Sequence, residues 1–142
     1  MIRKNRGKLY IVSIKHLGDP VLTDVQHKFF AVRSCKNVES INKYGFKWES
    51  SISPNNLLFK MYMTLKKSNQ WCEDTFNSIY QPDFIKQLNS DVNMKNTLNR
   101  ILGLLLGGMD VAIGCYCHDN LCHTNILAKE FEKRNIEVIY LK

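Results

Sequence analysis

Apolar residues in this chain fall into short runs separated by polar turns and by longer stretches with helical spacing. Four runs predict buried strands, at residues 8–14, 29–35, 111–117 and 136–141. Strands that alternate with helical segments are typical of α/β proteins. The pattern therefore predicts an α/β fold with a short, mainly parallel sheet of about four strands flanked by helices.

Three helical segments are predicted between the second and third strands. The first begins at Ser53-Pro54, a capping hydroxyl followed by proline at the first helical position. The second begins near residues 69–70, and Pro82 ends or bends it. The third is capped at residue 91 or 93 and ends at the glycine pair 107–108.

The last third of the chain carries most of the reactive side chains. Three of the five cysteines and two of the four histidines lie within residues 115–123. A strand runs into this cluster, a helix follows, and the apolar run 136–141 completes a right-handed crossover. The cluster then lies at the carboxyl end of a parallel strand, which is where open α/β sheets bind ligands. We therefore expect the functional site there.

The helix that follows the cluster adds a second argument. Asp119 or Asn120 is expected to cap it, and the free N–H groups of its first turn favour an anion. The same partial positive charge lowers the pKa of a nearby thiol. Cys122 and Cys117 are therefore candidate thiolates.

Two features upstream are expected near the same rim. Arg33 lies near the carboxyl end of the second predicted strand, where it could hold an anionic group, although a salt bridge or a surface position would also suit it. The long loop 37–53 carries Phe46 and Trp48. Loops of this length often cover a site, and a simple core lid is the alternative.

Composition limits the class of protein. At 142 residues and 44% hydrophobic, the chain is expected to form one domain, residues 8–142, behind a basic tail, residues 1–7. No apolar run approaches the length of a membrane span, and the amino terminus does not resemble a signal peptide. Five cysteines, an odd number, indicate a reducing cytoplasm rather than a disulfide framework.

The net charge of +7 raises the possibility of nucleic-acid binding. Four basic residues lie within the first eight positions, and the others are scattered among acidic residues. A basic tail and a solvated surface explain this distribution as well as a binding groove does. Nucleic acid is therefore a possible partner but not the favoured one.

Three motifs follow one another along the chain: the strand with Val32-Arg33, the run from Ser53-Pro54 through Trp71, Phe76 and Tyr80, and the strand 111–116 followed by Cys122-His123. These motifs resemble those of the small α/β proteins grouped as domain of unknown function 488. Together they cover most of the chain from Phe29 onward. A related family of unknown function has a similar Cys-x-Cys and Cys-His signature.

The resemblance implies a compact α/β domain with a pocket at the rim of the sheet, and it implies no established reaction. Arg33, Cys122 and His123 occupy the family's motif positions. Cys117 and His118 fit the related signature better.

The leading hypothesis is a protein that binds, or acts on, a small anionic ligand derived from a nucleotide. Whether it is an enzyme stays open, as does any cofactor. The candidate catalytic residues are Cys122, His123 and Cys117. The candidate ligand-binding residues are Arg33, Trp48, Tyr80, His118, Asn120 and Thr124, and Trp71 is a further ring on which a base could stack.

Other interpretations of the cluster stay open. Zinc or another metal could be bound by four of Cys115, Cys117, His118, Cys122 and His123, although their spacing is unlike that of common zinc knuckles. Alternatively, the cysteines could be buried as small apolar groups, or two of them, at 117 and 122, could form a disulfide. A non-catalytic interaction protein of a low-GC bacterium or its phage is a third class.

Overall fold

The computed structural model describes residues 6–117 and 119–142. All strand pairs in it are parallel, and the strands lie side by side in the order β3-β2-β4-β1-β5. The predicted α/β class is confirmed, with five strands where about four were expected. The strands are β1 (Leu9–Ser13), β2 (His27–Phe30), β3 (Lys47–Trp48), β4 (Val111–Cys115) and β5 (Val138–Leu141).

The additional strand, β3, lies in the segment predicted as a long loop. It is two residues long and pairs with the end of β2, so that Phe30 lies opposite Trp48. The same segment contains a short helix, α1 (Val38–Asn42), and a 3-10 turn (Ser50–Ile52). Two residues of alternating polarity give too short a pattern to distinguish a strand from a loop.

The helices follow the predicted order with different boundaries. After α1 come α2 (Asn56–Lys67), α3 (Glu73–Thr75), a π-helical turn (Phe76–Tyr80), α4 (Gln81–Ser90), α5 (Val92–Leu106) and α6 (His123–Glu132). Pro82 lies in the first turn of α4, where a missing N–H costs nothing, so it neither ends nor breaks the helix.

Helix caps show where the sequence prediction was right and where it was wrong. Asp91 caps α5 as predicted, by accepting a hydrogen bond from the Met94 N–H at 3.0 Å. The cap of α2 is Asn55, whose side chain accepts from Leu58, and not Ser53. At the start of α6 the capping position is held by Cys122 rather than by Asp119 or Asn120.

Two apolar layers enclose the sheet because alternate strand residues point to opposite faces. Leu9 and Ile11 of β1 face the larger layer, which includes residues of α2, α4, α5 and α6. Tyr10 and Val12 face the smaller layer, which contains Phe30 and residues of α1 and the turns near it. The central strands β1 and β4 are fully enclosed, as their continuous apolar sequences predict.

Strand β2 ends earlier than predicted, and this exposes the residues that follow it. The Ala31 N–H donates to the Gly114 carbonyl at 2.8 Å, and the chain then turns away from the sheet. The connection after β2 leads to β3 on one side, whereas the connection after β4 leads to β5 on the other. The gap between the ends of β2 and β4 is therefore a topological switch point, the usual ligand crevice of such folds.

The predicted boundary between tail and domain falls within a segment that is partly described. Arg6 donates a hydrogen bond to the Arg134 carbonyl at 2.6 Å, and the Gly7 N–H donates to the Leu105 carbonyl at 2.7 Å. Residues 1–5 of the predicted tail lie outside the described residues. Within the described part of the chain, no helix has both the length and the apolar character needed to cross a bilayer.

Candidate functional site

A cavity of about 270 Å³ lies at the switch point, between the ends of β2 and β4. Residues that follow β2 form one wall, and residues of the cysteine cluster that follow β4 form the floor. Five aromatic side chains also line it, so we call it the aromatic cavity. Its lining consists of Val32, Arg33, Ser34, Pro54, Phe59, Tyr62, Trp71, Tyr80, Cys115, Tyr116, Cys117, Leu121, Cys122 and His123.

Several aromatic rings around the cavity hold one another in place. The Trp71 ring meets Tyr62 and Tyr80 edge to face, with centroid distances of 4.6 and 5.2 Å. Tyr80 stacks on Phe84, the next ring along the helix, and Phe84 in turn contacts the His123 ring. The π-helical turn places Tyr80 in this position, and such turns are frequent at functional sites. The cavity wall therefore consists of aromatic rings that are held in fixed orientations.

Three cysteines form a compact sulfur cluster at the cavity floor. The Sγ atoms of Cys115, Cys117 and Cys122 all lie within 4.8 Å of one another. The sulfurs of Cys115 and Cys122 are 3.3 Å apart, and Thr124 Oγ1 lies 3.2 Å from the Cys122 sulfur. All described cysteines are free thiols. The end of β4 and the start of α6 thus bring together residues that are seven positions apart.

The thiols of the cluster differ in pKa. Burial raises the pKa of Cys122, but contacts with Cys115 and Cys117, the positive charge of Lys142 and the Thr124 hydroxyl lower it by more, so that it lies well below the usual value. The pKa of Cys117 is raised by its contacts with the other two thiols and by burial. Like-charge repulsion keeps neighbouring thiols from ionising together. The cluster therefore concentrates one thiolate on Cys122.

His123 lies directly beside this thiolate in a fixed orientation. Its Nε2 is 2.6 Å from the Ala31 carbonyl oxygen, which only accepts hydrogen bonds, so Nε2 carries the proton. Burial lowers the pKa of His123, so the ring is neutral near pH 7 and Nδ1 has a lone pair. Nδ1 lies 3.6 Å from the Cys122 sulfur. The Cys122 sulfur, a neutral base and a carbonyl that orients the base are thus direct neighbours.

Lys142 is a charged neighbour that the sequence analysis missed. Its ammonium group donates to the Asp119 carbonyl at 3.0 Å and to the Asn125 side chain at 2.7 Å, and it lies 4.0 Å from the Cys115 sulfur. The only sequence signal was a basic residue at the end of a predicted strand. The parallel pairing of β5 with β1 brings that end to the same rim as the cysteines.

Arg33 lies at the opposite side of the aromatic cavity. Its guanidinium carbon is 5.0 Å from the centre of the Phe59 ring, and Nη2 donates a hydrogen bond to the Asn56 side chain. None of the four salt bridges between described residues involves Arg33. Arg33 therefore lies at the rim, as the sequence led us to expect. No carboxylate among the described residues neutralises its charge there.

Three of the other predicted residues lie outside the aromatic cavity lining. Trp48 is 44% exposed, and its indole N–H donates to the Val32 carbonyl at 2.7 Å, so it supports the β2 end from outside. Asn120 binds the Asn125 amide at 3.2 Å on another surface. Thr124 is buried and contacts the sulfurs rather than the cavity. His118 lies outside the described residues.

The same sulfur cluster has a ligand set for a soft metal ion. Cysteine sulfur is a preferred ligand of zinc, with bond lengths of about 2.3 Å, and catalytic zinc sites keep one position open. Cys115, Cys117 and Cys122 all border the cavity, so an open position would face it. The spacing of 115, 117 and 122 along the chain discouraged this interpretation, yet the strand end and the helix start bring the sulfurs together.

Comparison with known proteins identifies the family. The family model described as the active DUF488-N3 subclade matches residues 12–135, most of the chain. Searches of the curated proteins and of the solved structures found no significant match. The matched residues include both walls of the aromatic cavity and all three clustered cysteines. The chain therefore belongs to the DUF488 family, as a member of its DUF488-N3 group.

Proposed function

We propose that this protein is an enzyme that acts on a small, anionic, nucleotide-derived ligand and uses Cys122 as its nucleophile. The observation that carries the proposal is the pairing of Cys122 with His123 at the floor of the aromatic cavity. The sulfur lies 3.6 Å from Nδ1, and the Ala31 carbonyl holds the ring with its lone pair towards the sulfur.

The chemistry supported by this pair is nucleophilic displacement. The Cys122 thiolate forms a bond to an electrophilic carbon of the ligand while the bond to a leaving group breaks, and the leaving group departs with the bonding electrons and takes a proton from water. His123 Nδ1 then removes a proton from a second water molecule, whose oxygen bonds to the same carbon while the carbon–sulfur bond breaks. This step releases the product and restores the Cys122 thiolate, and the proton on His123 returns to solvent, where it neutralises the hydroxide formed in the first step.

The shape and charge of the cavity support the choice of ligand. Its rings provide stacking surfaces for a flat base, and Arg33 supplies a positive charge at the rim. Cys122 itself occupies the capping position at the amino terminus of α6, so the anionic part of a ligand finds its counter-charge at Arg33 instead. The description of the matched family model as an active subclade supports catalysis over binding alone.

Alkylation of Cys122 provides a direct test. Purified protein is treated with iodoacetamide from pH 5 to 9, and modification of each cysteine is followed by peptide mass spectrometry. We expect Cys122 to react below the pH range of an ordinary thiol, and nucleosides or nucleotides to protect it. Cys72 is exposed and hydrogen bonds with Thr75 lower its pKa, so it reacts as well, and a Cys72→Ser background removes that competition.

Substitutions separate chemistry from binding. Cys122→Ser is expected to abolish turnover of a protecting ligand, and Arg33→Gln to weaken its binding, while both variants unfold cooperatively. Ordinary thiol reactivity at Cys122, together with no protection by any nucleoside or nucleotide, would contradict the proposal.

A metal site is a second candidate function, favoured by the three sulfur atoms within 4.8 Å of one another. Purification without chelator, followed by native mass spectrometry, is its test. Bound zinc should appear at one ion per chain and be lost in Cys117→Ser, but not in the matched control Cys35→Ser. A bare mass after incubation with equimolar zinc would exclude this candidate, and a bound ion would replace Cys122 as the source of the nucleophile.

A further inference from the structure

A second cavity adjoins the aromatic cavity. It has a volume of about 480 Å³ and lies between the start of α2 and the start of α5. Arg33 and Pro54 line both cavities, so the two meet at the Arg33 guanidinium. Most of its other lining residues carry hydroxyl, amide or carboxylate groups, and we call it the polar cavity. They are Ser50, Ser51, Ser53, Asn55, Asn56, Gln87, Asp91 and Asn93.

Arg33 is held at the junction before any ligand arrives. Stacking on Phe59 fixes its position on the aromatic side, and the hydrogen bond to Asn56 fixes it on the polar side. One nitrogen of the guanidinium makes that bond, and a guanidinium has five N–H donors. The group therefore retains donors for an oxyanion that lies between the two cavities, at a low entropic cost of ordering.

Arg33 offers one positive charge to a ligand at this point, and the other charges of the two cavities are negative. Among the described residues that line either cavity, Arg33 is the only one with a permanent positive charge, Asp91 has the only carboxylate, and Cys122 carries the thiolate. Lys66 lies near the mouth, 5.3 Å from the centre of the Tyr62 ring, and belongs to neither lining. A phosphate monoester carries about −1.5 to −2 near pH 7, whereas a phosphodiester carries only about −1.

The polar cavity suits hydroxyl groups better than a second phosphate. Asp91 would repel another anion, whereas its carboxylate accepts hydrogen bonds from hydroxyls. Within the described part of the chain, this carboxylate accepts a hydrogen bond from the Met94 N–H alone, through Oδ1, so Oδ2 is left to accept another. Gln87 already bonds Asn55 and Ser53 and keeps the cavity wall rigid.

We infer that the ligand is a nucleoside phosphodiester that spans both cavities at Arg33. Its base lies in the aromatic cavity, its phosphate lies against Arg33, and a second, hydroxyl-bearing sugar lies in the polar cavity. This inference rests on the proposed function and specifies its substrate class. A dinucleotide and the end of a nucleic-acid strand share this chemistry.

The test compares ligands that differ by one part at a time. The concentration that half-protects Cys122 from iodoacetamide is measured for nucleosides, for their 5′-monophosphates, for the methyl esters of those monophosphates and for dinucleoside monophosphates. A twelve-residue single strand of the same bases distinguishes a strand end from a free dinucleotide. The methyl ester has the charge of a diester but lacks the second sugar. It therefore separates the contribution of the phosphodiester charge from that of the second sugar.

Dinucleoside monophosphates are expected to protect Cys122 at concentrations at least about tenfold lower than the methyl esters do. The methyl esters are in turn expected to protect Cys122 at lower concentrations than the monophosphates do. Asn93→Phe, which fills the polar cavity, should remove the gain from the second sugar. The matched control Asn96→Phe is exposed on the same helix, lines neither cavity and should retain that gain. Arg33→Gln should remove the gain from the phosphodiester.

Other patterns of protection would contradict the phosphodiester inference, the proposed function or both. If monophosphates protect as well as dinucleoside monophosphates, or if Asn93→Phe retains the gain, the phosphodiester inference fails and the proposed function stands. If neither nucleosides nor any of their phosphates protect Cys122, both fail together.

Discussion

Lys142 donates a hydrogen bond from Nζ to Oδ1 of Asn125, at 2.7 Å, across the gap between β5 and the first turn of α6. This contact holds an ammonium group beside the sulfur cluster, with Nζ 3.4 Å from the Thr124 hydroxyl oxygen and 4.0 Å from the Cys115 sulfur. The positive charge lowers the pKa of Cys122. Lys142, which follows β5, therefore influences the protonation of a cysteine at the start of α6, earlier in the chain.

Replacing Lys142 by glutamine should raise the pKa of Cys122, because a buried thiolate loses its nearest cation. We expect the pH at which alkylation of Cys122 is half-maximal to rise by about one unit. Lys142→Arg keeps the charge and should leave most of the profile where it is. Lys129→Gln removes an exposed lysine of α6 and serves as control. The same alkylation profile in all variants would show that Lys142 does not lower the pKa of Cys122.

The other thiols should influence Cys122 in the same direction. Contacts with Cys115 and Cys117 lower the pKa of Cys122, so Cys115→Ala or Cys117→Ala should shift its alkylation profile to higher pH. The profiles are measured in the Cys72→Ser background, and Cys35→Ala is the control because Cys35 lies outside the cluster. A shift of similar size with Cys35→Ala would mean that the cluster has no specific effect.

His123 should make the fold sensitive to acid. Burial lowers its pKa in the folded state below the unfolded value of about 6.5, so the unfolded chain takes up the proton first as pH falls. Its contribution to stability is complete above about pH 6.5 and is lost as pH falls through the folded pKa, at no more than about 1.4 kcal/mol per pH unit. Urea unfolding from pH 8 to 4 measures this slope.

His123→Gln should flatten that dependence between pH 6.5 and 5, although it loses some stability at every pH. The His16→Gln variant replaces a histidine that lies in a 3-10 turn outside the site and is the comparison. An unchanged slope in His123→Gln would show that His123 titrates alike in both states.

Gly114 should tolerate no larger side chain, because β4 passes close to three apolar groups. An added Cβ would lie 3.0 Å from the Phe30 ring and 3.3 Å from both Leu17 and Phe46. Gly114→Val should therefore reduce the free energy of unfolding by about 1–3 kcal/mol, measured by urea denaturation. Gly103 in α5 has nothing within 4 Å of such a Cβ, so Gly103→Ala should stabilise by about 0.5–1 kcal/mol.

A good part of the fold was predictable because its signals are local. The runs at β1 and β4 are apolar at nearly every position, as expected for parallel strands enclosed on both faces. Asp91 was recognised as a cap because capping depends on a few neighbouring residues. The start of α2 was misplaced because asparagine and serine both cap helices, and the Asn55 side chain is the one that accepts from the Leu58 N–H. Gln87, more than 30 positions away, bonds the backbone of both Ser53 and Asn55, a contact that the local pattern does not contain.

The site was predictable in part for the same reason. Cys122 and His123 are adjacent and begin a helix, so sequence alone indicated a reactive pair. Trp48 was a reasonable stacking candidate by composition, but its indole N–H turns to the Val32 carbonyl, and Phe59 and Tyr62 line the cavity in its place.

By itself, the sequence determined the α/β class, the family, and the location of the thiols at a strand-to-helix turn, because these depend on periodicity and on adjacent residues. Only the tertiary structure decided which groups surround Cys122. Strand order brings Arg33 and Lys142 to one rim although they are more than 100 positions apart. That order depends on the packing of two apolar layers against the whole sheet, a property that no single stretch of sequence contains.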